Sequence, residues 1–152
     1  MAVFRGSSVG KSLGCSLLLL VATISAASAD YREIGNDQLK TLLDQGVHII
    51  DVRRADEWVE TGVIENSQQA TFFDRLGRFD AEAWLNEIDG DQYKNKPVIL
   101  ICHSGVRSRV IGRWLSSVMN YQQVYNVQRG IVDWIRVDQK TIPWKAPEAG
   151  AN

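Results

Sequence analysis

One stretch limits the possible folds more than any other: Pro97-Val98-Ile99-Leu100-Ile101-Cys102, followed at once by His103-Ser104-Gly105-Val106-Arg107-Ser108. A continuous apolar run rich in β-branched residues, without polar alternation, belongs to a strand buried on both faces, as in the middle of a parallel sheet. Val110, Ile111, Trp114, Leu115 and Val118 then recur at helical spacing, so a helix is expected to end near Asn120. Cys102 is thereby placed where a strand gives way, through a tight turn, to a helix.

The flanking sequence repeats this alternation. Asn36 or Asp37 can cap a helix carrying Leu39, Leu42 and Leu43, which stops at Gly46, and Val47 to Val52 reads as a buried strand. Arg54 to Glu60 predicts one or two helical turns, and Ser67 to Thr71 a weak strand. Phe79, Ala83, Trp84 and Ile88 share one helical face, and Gly90, Asn95 and Pro97 break the pattern. Val124 to Val127 predicts a further strand and Ile131 to Val137 a further helix. Alternating strands and helices predict an open, mainly parallel α/β sheet, whose ligands bind beyond the carboxyl ends of the strands. No linker, repeat or low-complexity segment divides the chain after Asp30, so it reads as one domain over residues 30–152.

Residues 1–29 differ in kind. Arg5 and Lys11 precede an apolar stretch from Leu13 to Ala27, and Ala27-Ser28-Ala29 follows, which reads as a secretory signal peptide cleaved after Ala29. The apolar stretch is short for a bilayer-spanning helix; an uncleaved anchor is the alternative. The expected location is the periplasm or the extracellular space. Cleavage would remove Cys15 and leave Cys102 unpaired in a compartment where cysteines usually form disulfides, which points to a reactive role. A net charge of -1 with no basic block gives no footing for nucleic acid or an anionic membrane as partner.

A thiol attacks as its thiolate, and a free cysteine with a pKa of about 8.5 is only partly ionised at neutral pH. A turn that aims backbone N–H groups at the sulfur, and a helix that begins beside it, both favour the anion. Gly105 permits a backbone conformation that a side chain would obstruct, and Arg107 offers a planar positive fork to an anionic substrate or leaving group. Ser108 can donate to the sulfur or cap the helix. His103, Ser104 and Val106 complete the candidate substrate-binding loop, and His103 is also a candidate base, although neighbours on a turn often diverge. Asp51 and Arg53, at a strand end, are expected to pair or bond the backbone and so hold the site loops. His48 and Trp134 read as core residues. Taken alone, Cys102 also admits the reading of an inert core thiol; the spacing to Gly105, Arg107 and Ser108 favours the nucleophile.

The pattern Cys102-x-x-Gly105-x-Arg107-Ser108 resembles the active-site loop of rhodanese domains. Asp51-Val52-Arg53 with Glu57-Trp58 and Gly62-x-Ile64 resembles their upstream signature, and Val124-Tyr125-Asn126, Gly130 and Trp134 resemble the closing segment. The resemblance runs from Ile34 to about Trp144. It departs at Val63-Ile64, Asn66-Ser67 and Arg129, where family members often carry other residues, and these loops bear on the acceptor. It implies a five-stranded parallel sheet flanked by helices, and a cycle in which Cys102 takes a sulfane sulfur from a small anion such as thiosulfate as a persulfide. Cyanide, a small thiol or a protein thiol would accept it. No cofactor and no metal are implied.

A cysteine phosphatase is the enzymatic rival. Phosphatases of the related kind place five residues between Cys and Arg, whereas His103 to Val106 make four here, a tighter cradle that suits sulfur. A module that binds a persulfide or a partner without turnover is the non-enzymatic rival. Disulfide exchange would need a second cysteine, and zinc is poorly supported for the same reason.

Overall fold

The structure, a computed structural model, describes residues 29–146. The expected signal peptide, with Cys15, lies outside the described residues except for Ala29. Among the described residues no helix is long and apolar enough to cross a membrane.

Five strands form one parallel sheet: β1 (Asp30–Ile34), β2 (His48–Asp51), β3 (Gln68–Gln69), β4 (Pro97–Ile101) and β5 (Gln123–Val127), in the order β1-β5-β4-β2-β3. The crossovers carry α1 (Asn36–Asp44), α2 (Ala55–Thr61), α3 (Ala81–Glu87), α4 (Val106–Ser117) and α5 (Gly130–Arg136), with a 3-10 turn at Gly90–Tyr93.

The apolar run of β4 is central because both its faces are covered. Val98, Leu100 and Cys102 join Ile50, Val52 and Val124 in a core with Trp84, Ile111 and Leu115 of α3 and α4. Ile99 and Ile101 point the other way, into a core with Leu39 of α1 and with Ile131 and Trp134 of α5. Residues 98 to 101 are fully buried, each side chain contributing roughly 1.5–3 kcal/mol. The chain moves to one side of β4 through β2 and β3 and to the other through β5 and β1, so the loops after β2 and β4 meet at a switch in strand order. The Val52 N–H, just past β2, donates to Ile101 O at 3.0 Å, which ties these two strand ends together.

Several local expectations are corrected. β1, of which the sequence reading gave no element, carries no apolar run because only Ile34 is buried; its pairing with β5 rests on backbone bonds along a polar edge strand. The weak strand shrinks to Gln68–Gln69. Gly35, rather than Asn36 or Asp37, precedes α1 as its cap, and the Asn36 amide reaches Asp133 Oδ2 at 3.0 Å instead. Asp80 caps α3 by accepting the Ala83 N–H, which leaves Phe79 outside the helix and exposed, with Ala83 also exposed. α4 ends at Ser117, and Val110 and Val118 face solvent. Its buried face uses Ser108, Ile111, Gly112, Leu115 and Ser116 instead, since a Cβ at Gly112 would lie 2.8 Å from the Tyr31 ring. His48 is half-buried, its Nε2 bonded to Gln68 Oε1 at 2.8 Å and its ring stacked on Tyr93.

Candidate active site

Cys102 follows the last residue of β4 and is the one cysteine, unpaired and 1% exposed, among the described residues. Its Sγ accepts the Gly105 N–H at 3.1 Å. Gly105 has φ +87, and a Cβ there would lie 2.0 Å from Gln128 O, so only glycine lets the loop pass this close to the end of β5. Gly130 makes the matching approach from α5: at φ +61, its Cβ would lie 2.3 Å from His103 O and 2.5 Å from Cys102 O. Those two carbonyls are satisfied by Val132 N–H at 3.2 Å and Ile131 N–H at 2.9 Å. The carbonyls of the turn are thereby drawn toward α5, while an amide of the same turn meets the sulfur. Asn126 fixes the next peptide, its Nδ2 donating to Gly105 O and to Glu33 Oε2, both at 3.2 Å.

The loop after β2 is fastened by a buried ion pair. Asp51 and Arg53 are 1% and 0% exposed. Arg53 Nε and one Nη donate to the Asp51 carboxylate at 2.7 to 3.0 Å, and the remaining donors reach Glu57 O, Thr61 Oγ1 and Gly62 O at 2.7 to 3.2 Å. Every N–H of the guanidinium is used, which is what makes a fully desolvated charge tolerable. Its consequence is positional: β2 is joined to the C-terminal end of α2. Asp51 and Arg53 thus pair with each other and bond the backbone around α2.

α2 in turn carries Glu57, whose carboxylate takes a bidentate pair from Arg107, with Arg107 Nη1 at 2.8 Å from Oε2. The Arg54 N–H and guanidinium also reach Glu57 Oε2, at 3.1 and 3.2 Å. Burial by itself would push the Glu57 carboxyl up, but the Arg107 bonds, the Arg54 amide and the two positive charges outweigh it and hold its pKa at about 2. The same bonds from Glu57 raise the Arg107 guanidinium above its ordinary range. In the structure the Arg107 fork is thus engaged by Glu57.

One further loop residue differs from expectation. Ser108 is the third residue of α4, fully buried, and its Oγ has neither the sulfur nor any other hydrogen-bond partner; Gly105 takes the cap position. His103 turns outward, its side chain 52% exposed and Nδ1 3.9 Å from Glu57 Oε1. Ser104 and Val106 are exposed beside it. Glu57, Asn126 and Glu33 are the residues that sequence reading left out of the site. Glu57 carried a local signal, since a glutamate three residues after a helix cap bonds back to it, but nothing local connects it to a residue 50 positions on. Among the described residues no three His, Cys, Asp or Glu side chains converge as a metal site.

The family model for the rhodanese-like domain matches residues 35–136. The chain belongs to the rhodanese-like domain family. Solved structures agree on the fold. A rhodanese-related protein from Thermoplasma volcanium is 24% identical with a TM-score of 0.57, over 75% of this chain and 100% of that one. A polysulfide-sulfur transferase from Wolinella succinogenes is 20% identical with a TM-score of 0.56, over 82% and 88%. A protein of unknown function from Rhodopseudomonas palustris, described as a possible tyrosine phosphatase, is 17% identical with a TM-score of 0.55, over 74% and 85%. At such identities the likeness carries the fold and not the reaction. No curated protein matches the chain significantly. In this rhodanese-like domain the divergent Arg129 precedes α5 as its cap residue, exposed, with Nη1 3.5 Å from Asp133 Oδ1.

Proposed function

We propose that this rhodanese-like domain is a sulfurtransferase in which Cys102 carries the transferred sulfur as a persulfide. The observation that carries the reading is the placement of Cys102: the one thiol among the described residues, at the carboxyl end of the central strand, its sulfur met by the Gly105 amide at the start of a 12-residue helix. An amide donor and a helix start both stabilise a sulfur anion. The Cys102 thiolate attacks the outer sulfur of a donor such as thiosulfate; an S–S bond forms, the donor's S–S bond breaks, and sulfite leaves with the electron pair. Cyanide or a thiol then takes the outer sulfur and returns the thiolate. His103, Ser104 and Val106 are exposed on the loop and Arg107 is partly so, which makes them the residues a donor would meet. At 1% exposure, the thiol favours donors that present a single projecting sulfur atom.

Mass spectrometry of the protein before and after a sulfane donor tests the reading: Cys102 should gain one sulfur atom, which a reductant removes. Aryl phosphates should not be hydrolysed, because four residues between Cys102 and Arg107 make a cradle small for phosphate. Burial of the sulfur also favours a second reading, a module that holds a persulfide for a partner without turning over. Loading without thiocyanate formation from cyanide would select it. We further propose that the domain acts after export, following removal of residues 1–29.

A further inference from the structure

The cation nearest to Cys102 in the sequence of the loop is not free. Both Arg107 Nη groups bond Glu57, a carboxylate whose side chain is 12% exposed. The other charges in this group are Arg54, shared between Glu57 and Asp56 at 3.2 and 3.3 Å, and Arg75, 3.1 Å from Asp56; the outward His103 imidazole lies beside them, Nδ1 3.9 Å from Glu57 Oε1. Arg54 and Arg75 share the single charge of Asp56, so the surplus positive charge of the group lies on the Asp56 side, whereas Arg107 itself is paired with Glu57. A donor arriving at Cys102 meets an arginine whose charge is balanced and two of whose donors are in use. A dianion must either displace Glu57 or sit beside a negative carboxylate; a monoanion faces about half that repulsion, because the Coulomb energy scales with the donor's charge.

We propose that Glu57 is a specificity-determining residue, which by holding Arg107 in a bidentate pair biases the site toward monoanionic sulfane-sulfur donors, such as organic thiosulfonates, over dianionic thiosulfate. The proposal rests on the persulfide reading above. Methanethiosulfonate is the matched probe, since a methyl group replaces one charged oxygen of thiosulfate. The Cys102 thiolate attacks its outer sulfur, the S–S bond to the sulfonyl sulfur breaks, and methanesulfinate leaves with the electron pair. Cyanide then takes the outer sulfur as thiocyanate and regenerates the thiolate.

The experiment measures kcat/KM for thiosulfate and for methanethiosulfonate, with cyanide as acceptor, in the parent and in Glu57→Gln. The glutamine carbonyl, standing in the place of Oε2, can still accept the Arg54 N–H that caps α2 and one N–H of Arg107, while its NH2 cannot accept the other, so the bidentate pair is broken and the carboxylate's negative charge is gone. The ratio of thiosulfate to methanethiosulfonate should rise by about ten-fold in the variant, the factor of one charge-assisted contact. A ratio within two-fold of the parent, or a fall, overturns the proposal. Should Glu57→Gln not fold, dead-end inhibition of the parent decides: methanesulfonate should inhibit at lower concentration than sulfate, and the opposite order overturns the proposal. Failure of both donors to load Cys102 would remove the persulfide reading and this inference with it. Loading by both with an unchanged ratio would remove this inference alone.

Discussion

Replacing Gly130 by alanine should unfold much of the site's support, and the cost can be worked from the backbone. At φ +61 an alanine is strained by roughly 1–2 kcal/mol wherever it stands. Here its Cβ would also lie 2.3 Å from His103 O and 2.5 Å from Cys102 O, both backbone atoms with no flexible end to swing away. Relief requires α5 to back off, which loosens the Ile131 and Val132 N–H bonds to those carbonyls, each worth about 1 kcal/mol. The sum is about 3–4 kcal/mol. Gly46 supplies the control within the same molecule: it has φ +75 but nothing within 4 Å of its Cβ position, so Gly46→Ala pays only the strain. Urea unfolding of the parent and both variants should therefore place Gly130→Ala about 2 kcal/mol below Gly46→Ala, with equal m-values. Equal losses in the two variants would refute the argument that backbone contact, rather than conformation, demands glycine beneath the Cys102 loop.

Cys102→Ser should abolish both turnover and the gain of one sulfur atom in the mass spectrum, since a hydroxyl cannot carry the persulfide. Arg107→Ala should still load, but roughly ten- to a hundred-fold more slowly if the charge-assisted contact strengthens in the transition state, and Arg107→Lys should recover only part of the loss; single-turnover loading measures both. The Glu57 pairing has a pH signature in stability. Its carboxyl is depressed from 4.5 to about 2 in the folded state, so its contribution is full above the unfolded value and is lost as pH falls through the folded one. The stability gap between the parent and Glu57→Gln should thus be constant above about pH 5.5 and shrink toward pH 2, by at most about 3 kcal/mol in all, as read by denaturant titration across pH. Amino-terminal sequencing of protein exported by the native host should begin at Asp30; recovery of a membrane-bound form starting at Met1 would refute cleavage.

What the sequence discloses about this domain depends on how far apart the interacting residues lie. The β4 run announces a strand buried on both faces, because Val98 to Ile101 must hide every side chain, and the break at Gly105 marks the turn. The order of strand, turn and helix around Cys102 is therefore local and readable. β1 is not: Asp30 to Glu33 are partly buried or exposed, and only pairing with β5, about 90 positions away, makes them a strand. α4 misleads only in part: Ile111 and Leu115 pack on the sheet as read, but the helix passes so close to Tyr31 that Gly112 joins them, while Val110 and Val118 face solvent. The Arg107 fork was legible as a charge but its occupation by Glu57 was not, because α2 and α4 meet only once β2 and β4 lie side by side.

The two arginines of the site show how one kind of pairing can serve opposite ends. Arg53 is wholly buried and spends every donor on atoms of β2 and α2, so removing its partner Asp51 would strand a charge without water, a loss of about 3–5 kcal/mol. Its pairing is not exchangeable. Arg107 keeps 25% of its side chain exposed and its pair with Glu57 is reached by solvent, so an incoming anion can compete for it at a cost that water helps to offset. Yet the second pair depends on the first: Arg53 bonds Glu57 O, Thr61 Oγ1 and Gly62 O, and thereby fixes the helix from which Glu57 reaches the loop. The rigid ion pair thus sets the position of the adjustable one, and the charges beside the Cys102 loop are positioned by an arginine buried away from solvent.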